Sequence, residues 1–395
     1  MKLVNLREVI LNIGDGGTPS TKIKEYFGGD IPWVNIEDIK KDIYDTRRHL
    51  SESGLKNSSA KLWPEGTLIF SFGASIGKVG IARVKLCTKQ GIAGIIPDPK
   101  KIYNEFLYYI LLRQGNRIRM IGQSMGSTIK EVRPSKLVRL ISFLLPPLPE
   151  QRKIAEILST VDSAIEKVDS AIEKTKRLKK GLMHELLTKG IGHKEFKNTE
   201  IGRVPKEWEV VKLGEVCNQR NEIVQPISKG HVKFIGLEHI ESGEIKVKSF
   251  TTDLDIKSSK FKFYTGDILY GKLRPYLDKA VITGFEGICS TDLIVLVPNK
   301  NKSNAHFLIY IIHSDKFINH AISNTSGTNY PRTSWLAISK FRFGLPPLHE
   351  QKKIAEILSS IDEKLEILRK RKEKLERIKK GLMEDLLTGK RRVKI

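Results

Sequence analysis

The chain writes one helix start twice. LPPLPEQRKIAEILS runs from Leu145 to Ser159, and LPPLHEQKKIAEILS from Leu345 to Ser359. Leu145–Gly190 aligns with Leu345–Lys390 without a gap and with more than half the positions identical. KKGLM at Lys179–Met183 returns at Lys379–Met383, and LLT at Leu186 returns at Leu386. A repeat of this kind constrains the fold more than any other feature, because both copies must bury the same face in the same way. The similarity extends upstream in weaker form. WPEGTLIFSF (Trp63–Phe72) matches FYTGDILYGK (Phe263–Lys272), and NEFLYYILL (Asn104–Leu112) matches AHFLIYIIH (Ala305–His313). GSTIKEVRPSKL (Gly126–Leu137) matches SGTNYPRTSWLA (Ser326–Ala337), and LREV at Leu6 matches LGEV at Leu213. The expected organisation is a first domain over 1–144, a long helix over 145–190, a linker over 191–212, a second domain over 213–344, and a second long helix with a basic tail over 345–395.

The repeated segments read as helices. Pro149 and Glu150 suit the first turn, where proline costs no hydrogen bond and a carboxylate meets the positive end of the helix dipole. Counting on from Ile154 in steps averaging about 3.5 residues gives Ile154, Leu158, Val161, Ile165, Val168, Ile172, Thr175, Lys179, Leu182 and Leu186. The second copy gives Ile354, Leu358, Ile361, Leu365, Leu368, Lys372, Leu375, Lys379, Leu382 and Leu386. All but two positions of each series are apolar, and charged residues fill the other faces. This is a coiled-coil seam, and the apolar members are the expected partner interface. A helix of roughly 38 residues is about 57 Å long at ~1.5 Å per residue, too long for the core of a small domain. Two such helices in one chain are expected to pack on each other antiparallel. Gly190 and Gly389 stand where a glycine would end each helix. Gly181 and Gly381 lie inside the helices, and their matched placement suggests a close crossing of backbones.

The globular parts read as mixed α/β. TLIFSF, VGIARV and GIAGIIP are strand-like in the first, and DILYGKL, AVITG and DLIVLVP in the second, each set followed by an amphipathic helix. The stretch Gly190–Val210 is polar and reads as a connection across to the second domain.

A net charge of +24 suits a polyanion, because each cation placed on a phosphate releases a condensed counterion. The three cysteines, Cys87, Cys217 and Cys289, are scattered, and the nine histidines do not cluster at ligand spacing, so a disulfide framework or zinc site is not expected. No run is long and apolar enough to span a membrane, and the start of the chain lacks a signal peptide's apolar core, so a cytoplasmic protein is expected. FGASIGKVG (Phe72–Gly80) falls one residue short of a Walker A loop and has Val79 in place of the magnesium-binding hydroxyl. The LPPL turns put Leu145 and Leu345 where an NPPY-type methyltransferase loop needs a polar side chain. No catalytic residue can be assigned.

Two regions suit nucleic acid instead. The turn around Lys78 corresponds to GKLRPYLDK (Gly271–Lys279), which carries Lys272, Arg274, Tyr276 and Lys279. The loops before the long helices carry Lys130 and Arg133 in the first half and Tyr330 and Arg332 in the second. Basic groups interleaved with aromatics and small hydroxyls suit phosphates and base edges. TRRHL (Arg47, Arg48) and RQGNRIRM (Arg113, Arg117, Arg119) read as solvated faces and carry less weight.

The doubled LPPL-EQ-KIAEILS start, the KKGLM…LLT helix ends, GTPSTKIKEYFGGDIPWVNIEDI (Gly17–Ile39) and IGRVPKEWEVVKLGEV (Ile201–Val216) together resemble the specificity (S) subunit of type I restriction-modification systems. The resemblance covers essentially the whole chain. It implies two target recognition domains, each reading one half of a bipartite asymmetric DNA sequence. It implies that the long helices set the unread spacer and dock two adenine-methyltransferase subunits, with restriction/translocase subunits beyond them. It implies no catalysis in this chain, with S-adenosylmethionine, ATP and magnesium on the partner subunits. Two other readings stay open. One is an orphan or silent specificity subunit, and the other is a non-catalytic coiled-coil adaptor that binds nucleic acid.

Overall fold

The structure is a computed structural model, and it describes all residues except 1, 73–74, 125–137, 140, 226–231, 253–257 and 395, and except the side chains of 116–124. The chain divides into two compact units. Unit one takes the chain up to Asp169 together with everything from Lys370, and unit two is Ser170–Arg369. Each unit therefore holds one globular domain, the first half of the helix that follows it, and the second half of the other long helix.

In unit one a five-stranded sheet has the order Ile10–Asp15, Ile92–Pro97, Leu68–Ser71, Val79–Ala82 and Asp42–Ile43. Only the last neighbour pair is parallel. A second sheet has the order His49–Leu50, Phe27–Val34, Leu86–Thr88 and Leu62–Trp63. Successive side chains on a strand point to opposite faces, and here both faces are buried. Leu68 and Phe70 enter a core with Phe106, Tyr109 and Ile110 of the helix Asn104–Ser124. Ile69 and Ile92 enter a second core with Val34, Ile43 and Trp63. Continuous apolar runs such as LIF and IAGII follow from this two-sided burial.

Unit two repeats the plan. Cys217–Arg220, Leu293–Pro298, Ile268–Gly271 and Ala280–Ile282 form one sheet. Ile223–Val224, Lys260–Phe263, Gly287–Cys289 and Phe234–Ile235 form the other. Ile268 and Tyr270 face the helix Ala305–Ile312, while Leu269 and Val281 face Phe263 and Cys289 of the second sheet. All three cysteines are free and buried, and burial pushes each thiol up to about 12. Among the described residues no helix is long and apolar enough to cross a membrane.

Each domain is closed by its two ends. Lys2–Asn5 pairs with Ser142–Leu145, and Glu209–Lys212 pairs with Arg342–Leu345. The second domain thus begins within the stretch expected to be linker. That stretch is also more than a crossing. It folds as a hairpin, Phe196–Thr199 with Gly202–Pro205, and ends on Trp208, which is fully buried. A polar composition concealed this, because only Val204, Pro205 and Trp208 turn inward.

The long helices span Leu148–Lys189 and Leu348–Leu387. Within each unit their segments run antiparallel. In unit one the ion pairs are Asp162–Lys379 and Asp169–Lys372, so the second number falls by seven as the first rises by seven. In unit two the equivalent pair is Asp362–Lys179. Val168, Ile172, Ile361 and Leu365 are buried along the seam, while Val161, Ile165, Leu182, Leu368, Leu375 and Leu382 are half-buried.

Two expectations need correction. Ile154, Leu158, Ile354 and Leu358 are fully buried, but in the cores of their own domains beside Phe106 and Phe307, because the first turns of each helix cover the domain that precedes them. Leu386 joins the first domain's core and Leu186 the second's. The helix ends thus serve as domain walls and only the middles as seam. Gly181 and Gly381 make no backbone crossing. Both are exposed, and an added Cβ would meet nothing within 4 Å at either site. Gly181→Ala and Gly381→Ala are therefore expected to stabilise the chain by about 1 kcal/mol each, the helix propensity difference. Urea unfolding measures this, and a loss of stability at either site would show an unseen contact.

The repeated Glu-Gln pair explains why the helix start is spelled twice. Gln151 accepts from the backbone N–H of Tyr103 (2.8 Å) and donates to the carbonyls of Lys101 (3.0 Å) and Pro146 (2.9 Å). Gln351 accepts from Asn304 (2.8 Å) and donates to Lys302 (3.0 Å) and Pro346 (2.8 Å). Each glutamine thus ties the loop before the domain's helix to the start of the long helix. The glutamates receive the chain that leaves the opposite helix. Glu350 accepts from Ile191 N (2.9 Å), His193 Nε2 (2.9 Å) and Trp208 Nε1 (3.0 Å). Glu150 accepts from both Nε and Nη2 of Arg392 (2.7 Å each) and from Val393 N (3.4 Å). The Arg392 guanidinium holds the Glu150 carboxyl below the ordinary carboxylate range. Gly190 and Gly389 end the helices at φ 68° and 70°. At Gly190 a Cβ would also lie 2.4 Å from Glu350 Oε1, so only glycine fits beside this clamp.

Candidate nucleic-acid interface

The structure brings together, in unit two, the two loops that the sequence marked separately. Lys272–Lys279 and Asn324–Leu336 lie side by side. Arg274 N donates to Pro331 O (2.8 Å), and Thr333 N donates to Lys272 O (3.0 Å). Leu273 and Arg332 form an isolated bridge. The Arg274 guanidinium stacks 5.3 Å from the centroid of the Tyr330 ring. Arg332 lies 3.5 Å from Asp292, whose carbonyl accepts from Lys272 N. Tyr276, Tyr330 and Leu336 stand 52 %, 60 % and 70 % exposed on these loops, an apolar display that the packing of unit two does not use.

The first of these loops is strained. Arg274 and Asp278 are the non-glycine residues with positive φ among those described, at 51° and 49°. Left-handed backbone is unfavourable for residues with a side chain and persists only where the surroundings over-determine it. Here Gly243 N donates to Asp278 O (2.9 Å), and His313 Nδ1 lies 2.6 Å from Asp278 Oδ1 while its Nε2 faces Ala280 O (3.1 Å). The loop is thereby anchored to the buried helix Ala305–Ile312 and its C-cap, His313. Arg274 Nε is buried and has no hydrogen-bond partner, a free donor beside an exposed aromatic. A rigid loop presenting a guanidinium, a phenol and further cations can grip a phosphate and lay a ring against a base or sugar.

The other site residues fall into three groups. Lys78 and Lys279 are exact counterparts in the repeat: Lys78 Nζ donates to Ile36 O (2.9 Å) and Lys279 Nζ to Leu237 O (2.6 Å). One donor of each ammonium ties its loop to the turn that carries Ile36 or Leu237, leaving two for a ligand. Lys272, Arg274, Tyr276, Tyr330 and Arg332 form the joint surface just described. Lys130 and Arg133 lie outside the described residues, so the matching surface of unit one is represented by Lys78 alone.

Sequence reading gave little weight to Arg48, yet its guanidinium lies 5.3 Å from the Phe27 ring and 5.8 Å from Trp33. It missed Lys233, which stands 4.5 Å from the Phe285 ring and 5.2 Å from Phe250. Both are cation–aromatic stacks assembled from segments far apart in the chain, so no local spacing marks them. Asp292, His313 and Asp278, which hold the loop, were also invisible for that reason. Among the described residues no cluster of three or more His, Cys, Asp or Glu side chains is placed to hold a metal ion.

The family model for the type I restriction modification DNA specificity domain matches residues 1–174 and again 205–377. The chain belongs to this family. It is a type I specificity subunit, a DNA target-recognition protein and a non-catalytic component. The MjaVIII specificity subunit of Methanocaldococcus jannaschii is 29% identical over 408 residues, covering 98% of this chain and 93% of that protein. The MjaIX specificity subunit of the same organism is 28% identical over 402 residues, covering 96% and 91%. The fold matches a solved type I S subunit from M. genitalium with a TM-score of 0.61 at 19% identity, over 98% of this chain and 96% of that one. The two family matches coincide with the two halves of the repeat, so each unit carries one specificity domain.

Proposed function

We propose that each recognition domain reads one half of an asymmetric, two-part DNA target, and that the long helices set the unread spacer between the halves. The observation that carries this reading is the pairing of near-identical clamps with divergent faces. Gln151/Gln351, Asp162/Asp362 and Lys179/Lys379 repeat bond for bond. The loops offered to DNA do not repeat: the turn with Lys78 has no counterpart to Arg274 or Tyr276. A duplicated frame with unlike reading loops suits unlike half-sites. Two linked half-sites raise the effective affinity only when the span is right, and stiff helices fix that span.

In this reading the exposed charged faces of the helices dock two adenine-methyltransferase subunits, with restriction/translocase subunits joining them. S-adenosylmethionine, ATP and magnesium then act on those partners. Lys78, Lys130, Arg133, Lys272, Arg274, Tyr276, Lys279, Tyr330 and Arg332 are the DNA-contacting set, with phosphate contacts positioning the domains and base contacts specifying the sequence.

A genome-wide map of N6-methyladenine in the source cell, with this gene present and deleted, tests the reading. A two-part motif with a fixed gap is expected to lose methylation on deletion. An unchanged map would overturn the proposal for this chain and favour a silent subunit.

A further inference from the structure

We propose that Asp162 and Asp362 are positioning residues that set how each recognition domain sits on the pair of long helices, and thereby which spacer length the subunit accepts. The inference rests on the bipartite reading above and adds the device that keeps the span exact.

The geometry is the same in both units. Tyr109 of the first domain's helix donates its hydroxyl to Asp162 Oδ2 at 2.6 Å, and Lys379 Nζ of the opposing long helix lies 2.6 Å from Asp162 Oδ1. Tyr310 of the second domain's helix donates to Asp362 Oδ2 at 2.8 Å, and Lys179 Nζ lies 2.5 Å from Asp362 Oδ1. One carboxylate oxygen faces the domain and the other faces the opposite helix. Three chain segments therefore meet at one side chain: a recognition domain, the helix that follows it, and the helix of the other half. Asp162 is 9 % exposed and the two lysines are mostly covered, so water competes weakly for these bonds. Burial beside the aspartates pushes both tyrosine hydroxyls well above their usual range, so they act as donors.

The apolar contacts of Ile154 and Leu158, or Ile354 and Leu358, hold the domain on its helix without directional preference. The glutamine bonds fix each domain only at the start of its own helix and do not reach the opposing one. The Tyr–Asp–Lys bonds are directional: the tyrosine bond breaks if the domain turns on its helix, and the lysine bond breaks if the two helices shift past each other. They also occupy seam positions where a leucine would add burial. Lys179 and Lys379 are two of the four polar positions in the seam series, and both are engaged here.

Each tyrosine hydroxyl also reaches a serine of the long helix. In unit one Lys41 Nζ also reaches Tyr109 Oη and Ser159 Oγ, both at 3.1 Å. In unit two Tyr310 Oη lies 3.2 Å from Ser359 Oγ directly. Both tyrosine hydroxyls are therefore tied to the serine three residues before the aspartate, through Lys41 in unit one and directly in unit two.

The test uses the full chain reconstituted with its methyltransferase partners. Methylation is measured on duplexes carrying both half-sites with the native spacer or with one base pair more or less. Asp362→Asn keeps an acceptor for Tyr310 and removes the charge facing Lys179. It is expected to lower the native-to-altered spacer ratio at least tenfold while half-site sequence preference is unchanged. Asp162→Asn is expected to give a comparable drop. Lys179→Gln, which leaves the Tyr310–Asp362 bond intact, repeats the measurement if Asp362→Asn does not fold. The charge swap Asp362→Lys with Lys179→Asp is expected to restore the ratio, as Lys41 shows at the matching Tyr109 that an ammonium can meet such a hydroxyl. An unchanged ratio in folded variants, or a uniform fall on all spacers that tracks thermal stability, overturns the proposal. A wild-type complex with no spacer preference would instead overturn the bipartite reading itself.

Discussion

Glu350→Ala is expected to destabilise unit two strongly. The carboxylate is buried and accepts from Ile191 N, His193 Nε2 and Trp208 Nε1. Truncation removes the acceptor from three donors at once, and the indole N–H belongs to a tryptophan with no exposure, which no water can satisfy without a rearrangement. Hydrogen bonds to a charged group are worth about 1.5–3 kcal/mol each but do not add, so a net loss of about 3–5 kcal/mol is expected. Glu350→Gln keeps one acceptor oxygen and should lose less. Glu150→Ala in unit one should also lose less, because its partner Arg392 is largely exposed and finds water when released. Denaturant unfolding followed by hydrogen exchange at the Trp208 indole distinguishes the two units. A loss below about 1 kcal/mol for Glu350→Ala would show that the clamp contributes little beyond an ordinary surface contact.

Arg274→Ala combined with Tyr330→Ala is expected to abolish selective recognition of one half-site and leave the other intact. The two side chains stack on each other across loops that are joined by backbone hydrogen bonds, so removing them leaves the fold in place. One well-made base or phosphate contact carries about 1–3 kcal/mol. The pair should therefore weaken binding to the cognate duplex by about tenfold to a thousandfold and make the salt dependence shallower, by roughly one counterion for the lost arginine. Titration of the reconstituted complex against duplexes mutated in either half-site measures this. Undiminished discrimination at both half-sites would remove these loops from the reading surface. Lys279→Ala is a different case: its ammonium holds Leu237 O, so part of its effect is expected in stability.

Much of the architecture was legible because it is periodic or repeated. The apolar series in each long helix, the buried strand runs and the helix-ending glycines are local patterns that report backbone geometry directly. The repeat told more than either copy alone, because identical residues at matched positions identify Gln151 and Gln351, or Lys179 and Lys379, as parts of a frame. What remained hidden was which surface each apolar residue meets. Ile154 and Leu158 obey the seam period, yet they serve the domain core. A period of this kind states that a face is buried and is silent on the partner. Gly181 and Gly381 show the same limit from the other side: matched positions implied a contact, and both face solvent. Arg48 carried little weight and Lys233 was missed because their aromatic partners come from other segments.

The sequence by itself determined that the chain is two copies of one plan, that long helices follow each domain, and that the chain is strongly basic. These follow from residue type, spacing and charge, which need no knowledge of contacts. Only the tertiary structure decided that Glu350 closes on Trp208 and Glu150 on Arg392, that each aspartate clip joins a domain to both helices, and that Arg274 and Tyr330 form one surface. Those pairings join residues from roughly fifty to more than two hundred positions apart. Their geometry depends on where the packed cores place each backbone, which no local pattern encodes.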